Sequence, residues 1–311
     1  MSLFVIESGI LTTIQDLGRN GFRRFGINPS GAMDKMAAYI ANLLLGNQET
    51  QAVLETHFPA PKLQFEKPTT FALCGADFAA KLNETEIENW RPIVAKEGDI
   101  LTFNERRLGA RLYLAVAGGF EVEKVFGSAS TDLRTGLGKL VKKGDRLLFK
   151  EENRVIRKNY KVSESLIPRY SHFPTVRIFQ GPEFDKLTAI SVENLLKKSY
   201  KVSLNADRMG FLLEGEPLYL IEDFEMVSSP VDFGTIQLLP NGQIIVLMAD
   251  HQTTGGYPRI AQIAKVDLPI VAQLSPNDKL YFEMISYERA EELALAQQIN
   301  LNMLKWAVRL G

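Results

Sequence analysis

Three stretches of the chain repeat one short pattern: EGDILTF (residues 97–103), KGDRLLF (143–149) and PNDKLYF (276–282). Each places Gly-Asp or Asn-Asp, which tolerate left-handed backbone geometry, directly before an alternating apolar run. This order is typical of a tight turn that leads into a β-strand. Each copy alone is compatible with an ordinary hairpin. Because the pattern occurs in both halves of the chain, it predicts two β-rich lobes with barrel-like closure.

The rest of the chain is also typical of a mainly β protein with a few helices. Apolar residues at helical spacing predict helices over residues 34–45, 185–200 and 287–310, and Gly46 is placed to end the first. Further strands are predicted at FVIES (4–8), TTFALCG (69–75), RLYLAVAG (111–118), TVRIFQG (175–181), PLYLI (217–221), GTIQLL (234–239) and QIIVLMA (243–249).

A charged segment separates the two halves of the chain. Residues 150–161, KEENRVIRKNYK, contain seven charged residues in twelve, which is typical of a solvated connection. We therefore predict an N-terminal β-rich lobe over residues 1–155 and a C-terminal β-rich lobe with a terminal helix over residues 156–311.

The charge balance and the residue counts exclude several classes of protein. The 311 residues carry 36 basic and 37 acidic side chains without a basic block, which argues against nucleic acid or a membrane surface as a partner. The start of the chain lacks a basic n-region, and no apolar run approaches the roughly 18–20 residues of a membrane span. We therefore expect a cytoplasmic protein. Cys74 is the only cysteine, and the three histidines are not in spaced pairs, so no metal site is expected.

The first polar segment is TTIQDLGRNGFRRFGINPSGAMD, residues 12–34. Its glycines let backbone N–H groups approach a ligand, and Gln15, Asp16, Arg19 and Asp34 supply polar side chains. Two structural alternatives are open: Asp34 as the N-cap of the predicted helix, and an Arg19–Asp16 ion pair.

The sequence Ala-Met-Asp-Lys-Met around Lys35 is similar to the Ala-Met-Lys-Met that carries biotin on biotinyl domains. Here an aspartate intervenes and the residues open a predicted helix, whereas a biotin lysine needs an exposed hairpin tip. We therefore predict no covalent biotin on this chain.

Three further segments concentrate polar groups near glycines. VFGSASTDLRTGLGKL (125–140) suits an anion, with Arg134 as a clamp, or is an ordinary surface loop. NADRMGFLLEG (205–215) offers Asp207 and Arg208, as a local ion pair or as a polar pair at a site. LMADHQTTGGYPR (247–259) is a tight turn or the place where a strand end meets a small polar ligand. The predicted ligand-binding residues in these segments are Ser130, Thr131, Arg134, Arg208, His251, Gln252, Thr253, Gly255, Gly256 and Tyr257.

The chain resembles the allophanate hydrolase subunit 2 family, also called the KipA family, which includes the C subunit of bacterial 5-oxoprolinase. The motifs that carry this resemblance span roughly residues 3–287: TTIQDLGRNGFRRFGINPSGAMD, NLLLGN, FALCGADF, LYLAVAGGFEV, GSASTD, GPE, DRMGFLLEG, GTIQLLPNGQIIVLMADHQTTGGYPRIAQI and LSPNDKLYF. The resemblance implies a cyclophilin-like β-barrel architecture in two lobes. It also implies action beside a KipI-like subunit and a LamB/YcsF-like subunit, in the ATP-dependent opening of 5-oxoproline to glutamate. The sequence departs from the family pattern at Ala129, Lys139 and His251, where arginine is usual.

Opening a lactam at neutral pH requires an activated carbonyl, which ATP supplies by phosphorylating the amide oxygen. The protein must then offer donors for an anion, here Arg19, Arg134, Thr253, Thr254 and the backbone of Gly255 and Gly256. The predicted catalytic residues are Asp16, Asp250 and Thr254, with either carboxylate as base or orienting group. Whether this chain itself binds ATP is left open by the sequence, and we expect the chain alone to be inactive. Two alternatives are a carboxyltransferase component of a urea carboxylase type of system and an antagonist of a KipI-like inhibitor.

Overall fold

The computed structural model describes residues 1–150, 160–222 and 225–310. The strands in this part of the chain are β1 (Ser2–Glu7), β2 (Thr12–Gln15), β3 (Val53–Thr56), β4 (Lys62–Phe65), β5 (Thr69–Asp77), β6 (Ala80–Leu82), β7 (Thr85–Glu86), β8 (Pro92–Ala95), β9 (Ile100–Phe103), β10 (Leu108–Val116), β11 (Arg146–Leu148), β12 (Thr175–Gln180), β13 (Tyr200–Val202), β14 (Gly210–Glu214), β15 (Ser229–Pro230), β16 (Thr235–Leu238), β17 (Ile244–Leu247), β18 (Thr254–Gly255), β19 (Arg259–Ile263) and β20 (Lys279–Met284).

The α-helices are α1 (Lys35–Leu44), α2 (Ala189–Lys197), α3 (Leu268–Ala272) and α4 (Tyr287–Leu310). Short 3-10 helices lie at Arg23–Phe25, Glu164–Leu166, Phe184–Lys186 and Lys265–Asp267. No helix within the described ranges is both long enough and apolar enough to cross a membrane.

The chain forms two compact units. The first comprises Met1–Asn20, Ser30–Pro168 and Asn300–Gly311, and the second comprises Gly21–Pro29 and Arg169–Ile299. The predicted boundary between residues 155 and 156 lies outside the described residues, as does most of the charged segment 150–161. Residues 21–29 belong to the second unit although they lie near the start of the chain. A single boundary in the sequence therefore does not describe the two units.

The first unit contains two antiparallel sheets around one apolar core. The six-stranded sheet has the order β11-β1-β4-β9-β6-β7, and the five-stranded sheet has the order β2-β3-β10-β5-β8. Alternate residues of both sheets point into the same core, as Leu3 and Phe65 do from one sheet and Phe71 and Leu112 from the other. Helix α1 packs against β5 and β10 with its apolar face.

The second unit contains a closed barrel with the strand order β12-β19-β16-β17-β14-β13-β20. Its neighbouring strands are antiparallel except β12 and β20, whose parallel pairing closes the barrel. Val176, Val246 and Ile263 are among the apolar residues that the barrel buries. The prediction of a mainly β fold with a barrel is therefore confirmed.

The three repeated stretches adopt one turn, which leads into β9, β11 and β20. In each copy the aspartate side chain accepts a hydrogen bond from the backbone N–H three residues earlier, which holds the turn closed. The donors and acceptors are Lys96 and Asp99 (2.7 Å), Lys142 and Asp145 (2.8 Å), and Ser275 and Asp278 (2.8 Å). The residues with positive φ before each aspartate are Gly98 (87°), Gly144 (89°) and Asn277 (72°).

Some predicted elements differ in the structure. Residues 217–221 do not form a strand; Leu220 makes one isolated bridge with Leu187, and Leu218 is buried without joining a sheet. The burial of Leu218, and not strand pairing, explains the apolar character of this run. Helix α2 is shorter than predicted because a 3-10 turn precedes it and β13 begins at Tyr200. Helix α3 was not predicted, since its five residues are too few to show a helical period.

Candidate functional site

The first polar cluster lies in the first unit, directly after β2, and is here called the Asp16 cluster. Asp16 is 4% exposed. Its carboxylate accepts hydrogen bonds from the hydroxyls of Ser128 and Ser130 (both 2.6 Å) and from the backbone N–H groups of Ala129 (2.7 Å) and Gly18 (2.8 Å). Residues 128–131, here called the serine loop, are therefore wrapped around one carboxylate.

Two opposing effects act on the pKa of Asp16. Burial raises the pKa because the charged form loses hydration, whereas the hydrogen bonds from Ser128, Ser130 and the two backbone N–H groups lower it. The hydrogen bonds prevail, so the pKa of Asp16 lies below its ordinary value. Asp16 is thus an ionised carboxylate that organises the loop. The catalytic role assigned to it from the sequence stays a prediction.

Gln15 and Arg19 extend the Asp16 cluster. The Gln15 side-chain amide donates to the Thr13 hydroxyl and to the carbonyl oxygen of Thr131, both over 3.0 Å. Its side-chain oxygen is buried and has no hydrogen-bond partner among the described residues. Arg19 is 1% exposed, and its guanidinium donates to the carbonyl oxygen of Ser130. The structure therefore brings together the predicted residues Gln15, Asp16, Arg19, Ser130 and Thr131.

The backbone of residues 30–34 supports this cluster from one side. Gly31 has a φ of 100°, and a side chain there would place a Cβ only 2.9 Å from the backbone nitrogen of Gly18. The N–H of Ala32 donates to the carbonyl oxygen of Asp16 over 2.8 Å. Glycine is thus required at position 31 for the close approach of the two segments.

Glu55 and Tyr113 fix the next two residues of this segment. The Glu55 carboxylate accepts from the backbone N–H of Met33 (2.9 Å) and from the Tyr113 hydroxyl (2.8 Å), and that hydroxyl accepts from the N–H of Asp34 (2.8 Å). Burial, followed by the nearby carboxylates of Glu55 and Asp34, raises the pKa of Tyr113, so the hydroxyl stays protonated. Neither Glu55 nor Tyr113 was predicted from the sequence as a site residue. The signal that could have found them is a polar side chain within a buried strand.

The other predicted residues of the first unit have separate positions. Asp34 is fully buried, and its carboxylate accepts from the N–H of Ala37 over 2.9 Å, so it is the N-cap of α1. Arg134 lies in a turn with its side chain exposed, and its backbone N–H donates to the Asp132 carboxylate over 3.1 Å. Lys35, at the position similar to a biotin lysine, is the first residue of α1.

A cavity of about 760 Å³ opens in the first unit next to the serine loop. Ala129 and Thr131 contribute to its wall, as do Ile14 and Lys139. In an extended segment alternate residues face opposite sides, so Ser128 and Ser130 point to Asp16 while Ala129 and Thr131 line the cavity. The alanine that departs from the family pattern therefore lies on the cavity side of the loop.

The second polar cluster lies in the second unit, between β17 and β19, and is here called the Asp250 cluster. Nε and Nη2 of Arg208 donate to the two carboxylate oxygens of Asp250 over 2.8 and 3.0 Å. The two side chains are 13% and 7% exposed. The Asp207 carboxylate accepts from the backbone N–H of Met209 over 2.7 Å and thereby closes the turn before β14. Arg208 and Asp250 form a bidentate, largely buried ion pair.

His251 is 1% exposed and lies next to this pair in sequence. Its Nδ1 is 2.5 Å from the carbonyl oxygen of Gln252, and its Nε2 is 3.9 Å from the Asp232 carboxylate. Nη1 of Arg23 donates to the same carboxylate oxygen over 3.1 Å. The sequence has histidine at position 251, where arginine is usual in the family. The Asp232 carboxylate that His251 faces is nevertheless paired with an arginine, Arg23.

The Thr-Thr-Gly-Gly-Tyr segment (253–257) contains the short strand β18. This strand pairs with β15, with Thr254 opposite Pro230 and Gly255 opposite Ser229. Gly255 is buried, and a Cβ there would lie 2.6 Å from the Gln237 side chain. The predicted residues differ in exposure: Thr253 is half-buried, and Gln252, Thr254, Gly256 and Tyr257 are exposed.

A groove of about 370 Å³ in the second unit is lined in part by Arg23, Asp232 and Arg259. Nε and Nη2 of Arg259 donate to the Glu183 carboxylate over 3.0 and 2.8 Å. Burial would raise the pKa of Glu183, but Arg259 lowers it below its ordinary value. These four residues were not predicted. Glu183 belongs to the Gly-Pro-Glu motif, which was the available signal.

Among residues 1–150, 160–222 and 225–310, no three or more His, Cys, Asp or Glu side chains are grouped so as to hold a metal ion.

Together these features define a mainly β protein of two units, one of them a closed barrel, in which buried carboxylates accept hydrogen bonds from loop residues. Within that class the relationship is specific. The chain belongs to the carboxyltransferase domain family, subdomains A and B, whose model matches residues 25–284.

The relatives of the chain include two bacterial proteins of similar length. The chain is 38% identical over 309 residues to the C subunit of 5-oxoprolinase from Escherichia coli (strain K12), covering 98% of both chains. It is 34% identical over 297 residues to the C subunit of 5-oxoprolinase from Haemophilus influenzae, covering 94% of both chains. The family resemblance drawn from the motifs is therefore confirmed.

A solved structure has the same fold within a longer chain. The crystal structure of the K. lactis urea amidolyase matches 97% of this chain with a TM-score of 0.91 and 27% identity. The match covers 20% of that chain, so this protein spans about a fifth of the urea amidolyase.

Proposed function

We propose that this chain is the C subunit of an ATP-dependent 5-oxoprolinase, a cytoplasmic complex that opens 5-oxo-L-proline to L-glutamate. The observation that carries the proposal is the 38% identity to the E. coli 5-oxoprolinase C subunit over 98% of both chains. The proposed complex also contains a KipI-like subunit and a LamB/YcsF-like subunit.

The Asp16 cluster, in the first unit, is one candidate for substrate binding. A lactam substrate has an N–H donor, and the buried, unpartnered side-chain oxygen of Gln15 is an acceptor that suits it. The Arg19 guanidinium, held at the carbonyl of Ser130, provides positive charge for a substrate carboxylate. Asp16 keeps the serine loop in the geometry that both interactions require.

The Asp250 cluster, in the second unit, is a separate candidate for anion binding. The Arg208–Asp250 ion pair anchors the start of the loop that carries Thr254 and Gly256. Thr254 and Gly256 are exposed, and the Thr254 hydroxyl can donate to oxygen atoms of an anionic species formed during ring opening. In this role the pair positions the loop, and Thr254 is the donor.

Activation of the lactam carbonyl is assigned to ATP bound by the partner subunits. The GLGKL segment (136–140) forms a turn and two isolated bridges and does not lead into a helix. A phosphate-binding loop of the usual type needs a helix N-terminus directly after the glycines. This segment is therefore not a phosphate-binding loop of that type.

The test is to purify the chain alone, the two other subunits together, and all three in one mixture. The measurement is 5-oxoproline-dependent ATP hydrolysis together with glutamate formation. We expect activity only in the three-component mixture. Substantial turnover by the chain alone would show that the site is not shared. An inactive three-component mixture, with all components folded and associated, would contradict the 5-oxoprolinase assignment.

A carboxyltransferase is the second candidate function, and the TM-score of 0.91 to the K. lactis urea amidolyase favours it. In that case a biotin carrier on another chain would supply the carboxyl group. Carboxyl transfer between carboxybiotin and urea by the purified chain would support this candidate. An equal rate with an Asp16→Ala variant would argue that the transfer is not catalysed at the Asp16 cluster.

A further inference from the structure

Helix α4 carries a row of exposed apolar side chains along one face. Leu295, Ile299, Met303 and Trp306 are 62%, 51%, 64% and 62% exposed. At about 100° per residue these four positions lie within roughly 80° of one another, so they form one stripe along about 16 Å of helix. Water-exposed apolar rows of this kind are uncommon unless another surface covers them.

The opposite face of α4 is the one that the fold buries. Ala290, Leu301 and Leu304 are each less than 10% exposed, and they lie on the other side of the helix from the stripe. The stripe is therefore not needed to hold α4 in place. The match to the carboxyltransferase family model ends at residue 284, before α4 begins at Tyr287.

The two ends of α4, on either side of the centre of this stripe, carry charges of opposite sign. Residues 293–304 contain no charged side chain. The first turns carry Glu288, Glu291 and Glu292 against a single Arg289, whereas the last turns carry only the bases Lys305 and Arg309. Within the chain Arg289 pairs with Glu292 over 2.8 Å, and Lys305 pairs with Glu49. Glu288 and Glu291 leave one end of the helix net acidic and Arg309 leaves the other net basic, with an uncharged apolar centre between them.

We infer that the α4 stripe binds the α4 stripe of a second copy of this chain in antiparallel orientation. In that arrangement Ile299 faces Met303 of the other copy and Leu295 faces Trp306, which keeps both pairs in register about one two-fold axis. The same register brings Arg309 of the other copy close to Glu291 and to the Arg289–Glu292 pair at both ends. A parallel pair would place acid against acid and base against base.

The inferred contact is modest in size. A single pair of helices buries less area than the roughly 1,200–2,000 Å² of a standard stable interface, so we expect micromolar self-association. This inference does not depend on the proposed function, since its test uses no substrate.

The test is sedimentation of the full-length chain at concentrations of about 1 to 100 µM, where a weak homodimer becomes populated. We expect the mass to approach twice the 34.9 kDa of one chain. The double variant Ile299→Glu with Met303→Glu puts unpaired charge at the centre and should weaken association at least about a hundredfold. Leu204→Glu, at another exposed leucine (74% exposed), is the matched control and should leave association unchanged.

A charge exchange and a cross-link test the orientation. Glu292→Arg should weaken the dimer, and adding Arg309→Glu should restore it. A Leu295→Cys, Trp306→Cys double variant should form disulfides between copies, because within one helix these positions are about 16 Å apart. A monomer at all concentrations, or a dimer unaffected by the central variants, would overturn the inference. So would stripe variants that lose only the binding of another subunit, since a different partner would then occupy the stripe.

Discussion

The Asp16 cluster and the Asp250 cluster both bury a carboxylate, but they satisfy it in different ways. The Asp16 carboxylate accepts from two hydroxyls and two backbone N–H groups, all of them uncharged donors. The Asp250 carboxylate accepts two hydrogen bonds from the guanidinium of Arg208. The first arrangement builds a loop around a negative charge, and the second joins two loops through a neutral pair.

This difference predicts that substitutions in the two clusters have different effects. The donors to Asp16 belong to the loops that it shapes, so loss of the carboxylate removes the loop geometry as well as the charge. The Arg208–Asp250 pair holds segments that other hydrogen bonds also hold, including that between the backbone N–H of Asp250 and the carbonyl of Arg208 (2.8 Å). We therefore expect the Asp16 cluster to be the more sensitive of the two to substitution.

The largest expected effect concerns the loop that follows Asp250. Thr254→Val removes an exposed hydroxyl, and if that hydroxyl donates to a developing anion the loss costs on the order of 2.7–4 kcal/mol of activation free energy. Turnover of the reconstituted complex should fall a hundred- to thousandfold at an unchanged melting temperature. Thr85→Val, at an exposed threonine of β7, is the control and should retain turnover. Near-normal activity of Thr254→Val would leave the loop an ordinary turn.

The next effect is on stability. Asp16→Asn replaces the acceptor of four hydrogen bonds with an amide whose NH2 group faces hydroxyl and backbone N–H donors. The free energy of unfolding should therefore fall by about 3 kcal/mol. Denaturant unfolding of the isolated chain measures this. Asp77→Asn is the comparison, since the half-buried Asp77 accepts from the backbone N–H of Ala79 (2.9 Å). An equal loss in both variants would show that the serine loop has no special dependence on Asp16.

A smaller loss is expected at the Asp250 cluster. Arg208→Lys keeps the positive charge but removes the bidentate geometry, which should cost about 1–2 kcal/mol of unfolding free energy. Arg107→Lys is the matched control because Arg107 pairs with Glu86 and Glu105 at the surface, where no measurable change is expected. A loss at Arg208 larger than that of Asp16→Asn would reverse the ranking of the two clusters.

The smallest expected effect is the pH dependence of stability. The pKa of Asp16 is lower in the folded chain than its ordinary value of 3.8, so the folded state favours the ionised form. Its contribution is fully present above the unfolded pKa and is lost as the pH falls through the folded pKa. The difference in unfolding free energy between the native chain and Asp16→Asn should therefore shrink below about pH 4. A constant difference down to about pH 2 would mean that Asp16 does not titrate in this way.

The features that follow from the sequence alone are local. The aspartate turns before β9, β11 and β20, the Asp34 cap of α1 and the span of α4 all depend on residues a few positions apart. Glycine or asparagine with positive φ, a side chain that closes its own turn, and apolar spacing act within one or two turns of chain. For this reason they could be predicted without knowledge of the fold.

Which polar groups meet depends on how the strands pack. Asp16 and Ser130 are 114 residues apart, Glu55 and Tyr113 are 58 apart, and Arg208 and Asp250 are 42 apart. The sequence marked Asp16, Ser130, Arg208 and Asp250 as polar residues near glycines, but it suggested partners close in sequence for Asp16 and Arg208, and it missed Glu55 and Tyr113. Strand order and register bring such distant groups together, and burial then requires each to find a donor or acceptor there. Because that requirement arises only once the strands are packed, the pairing of these carboxylates belongs to the folded chain.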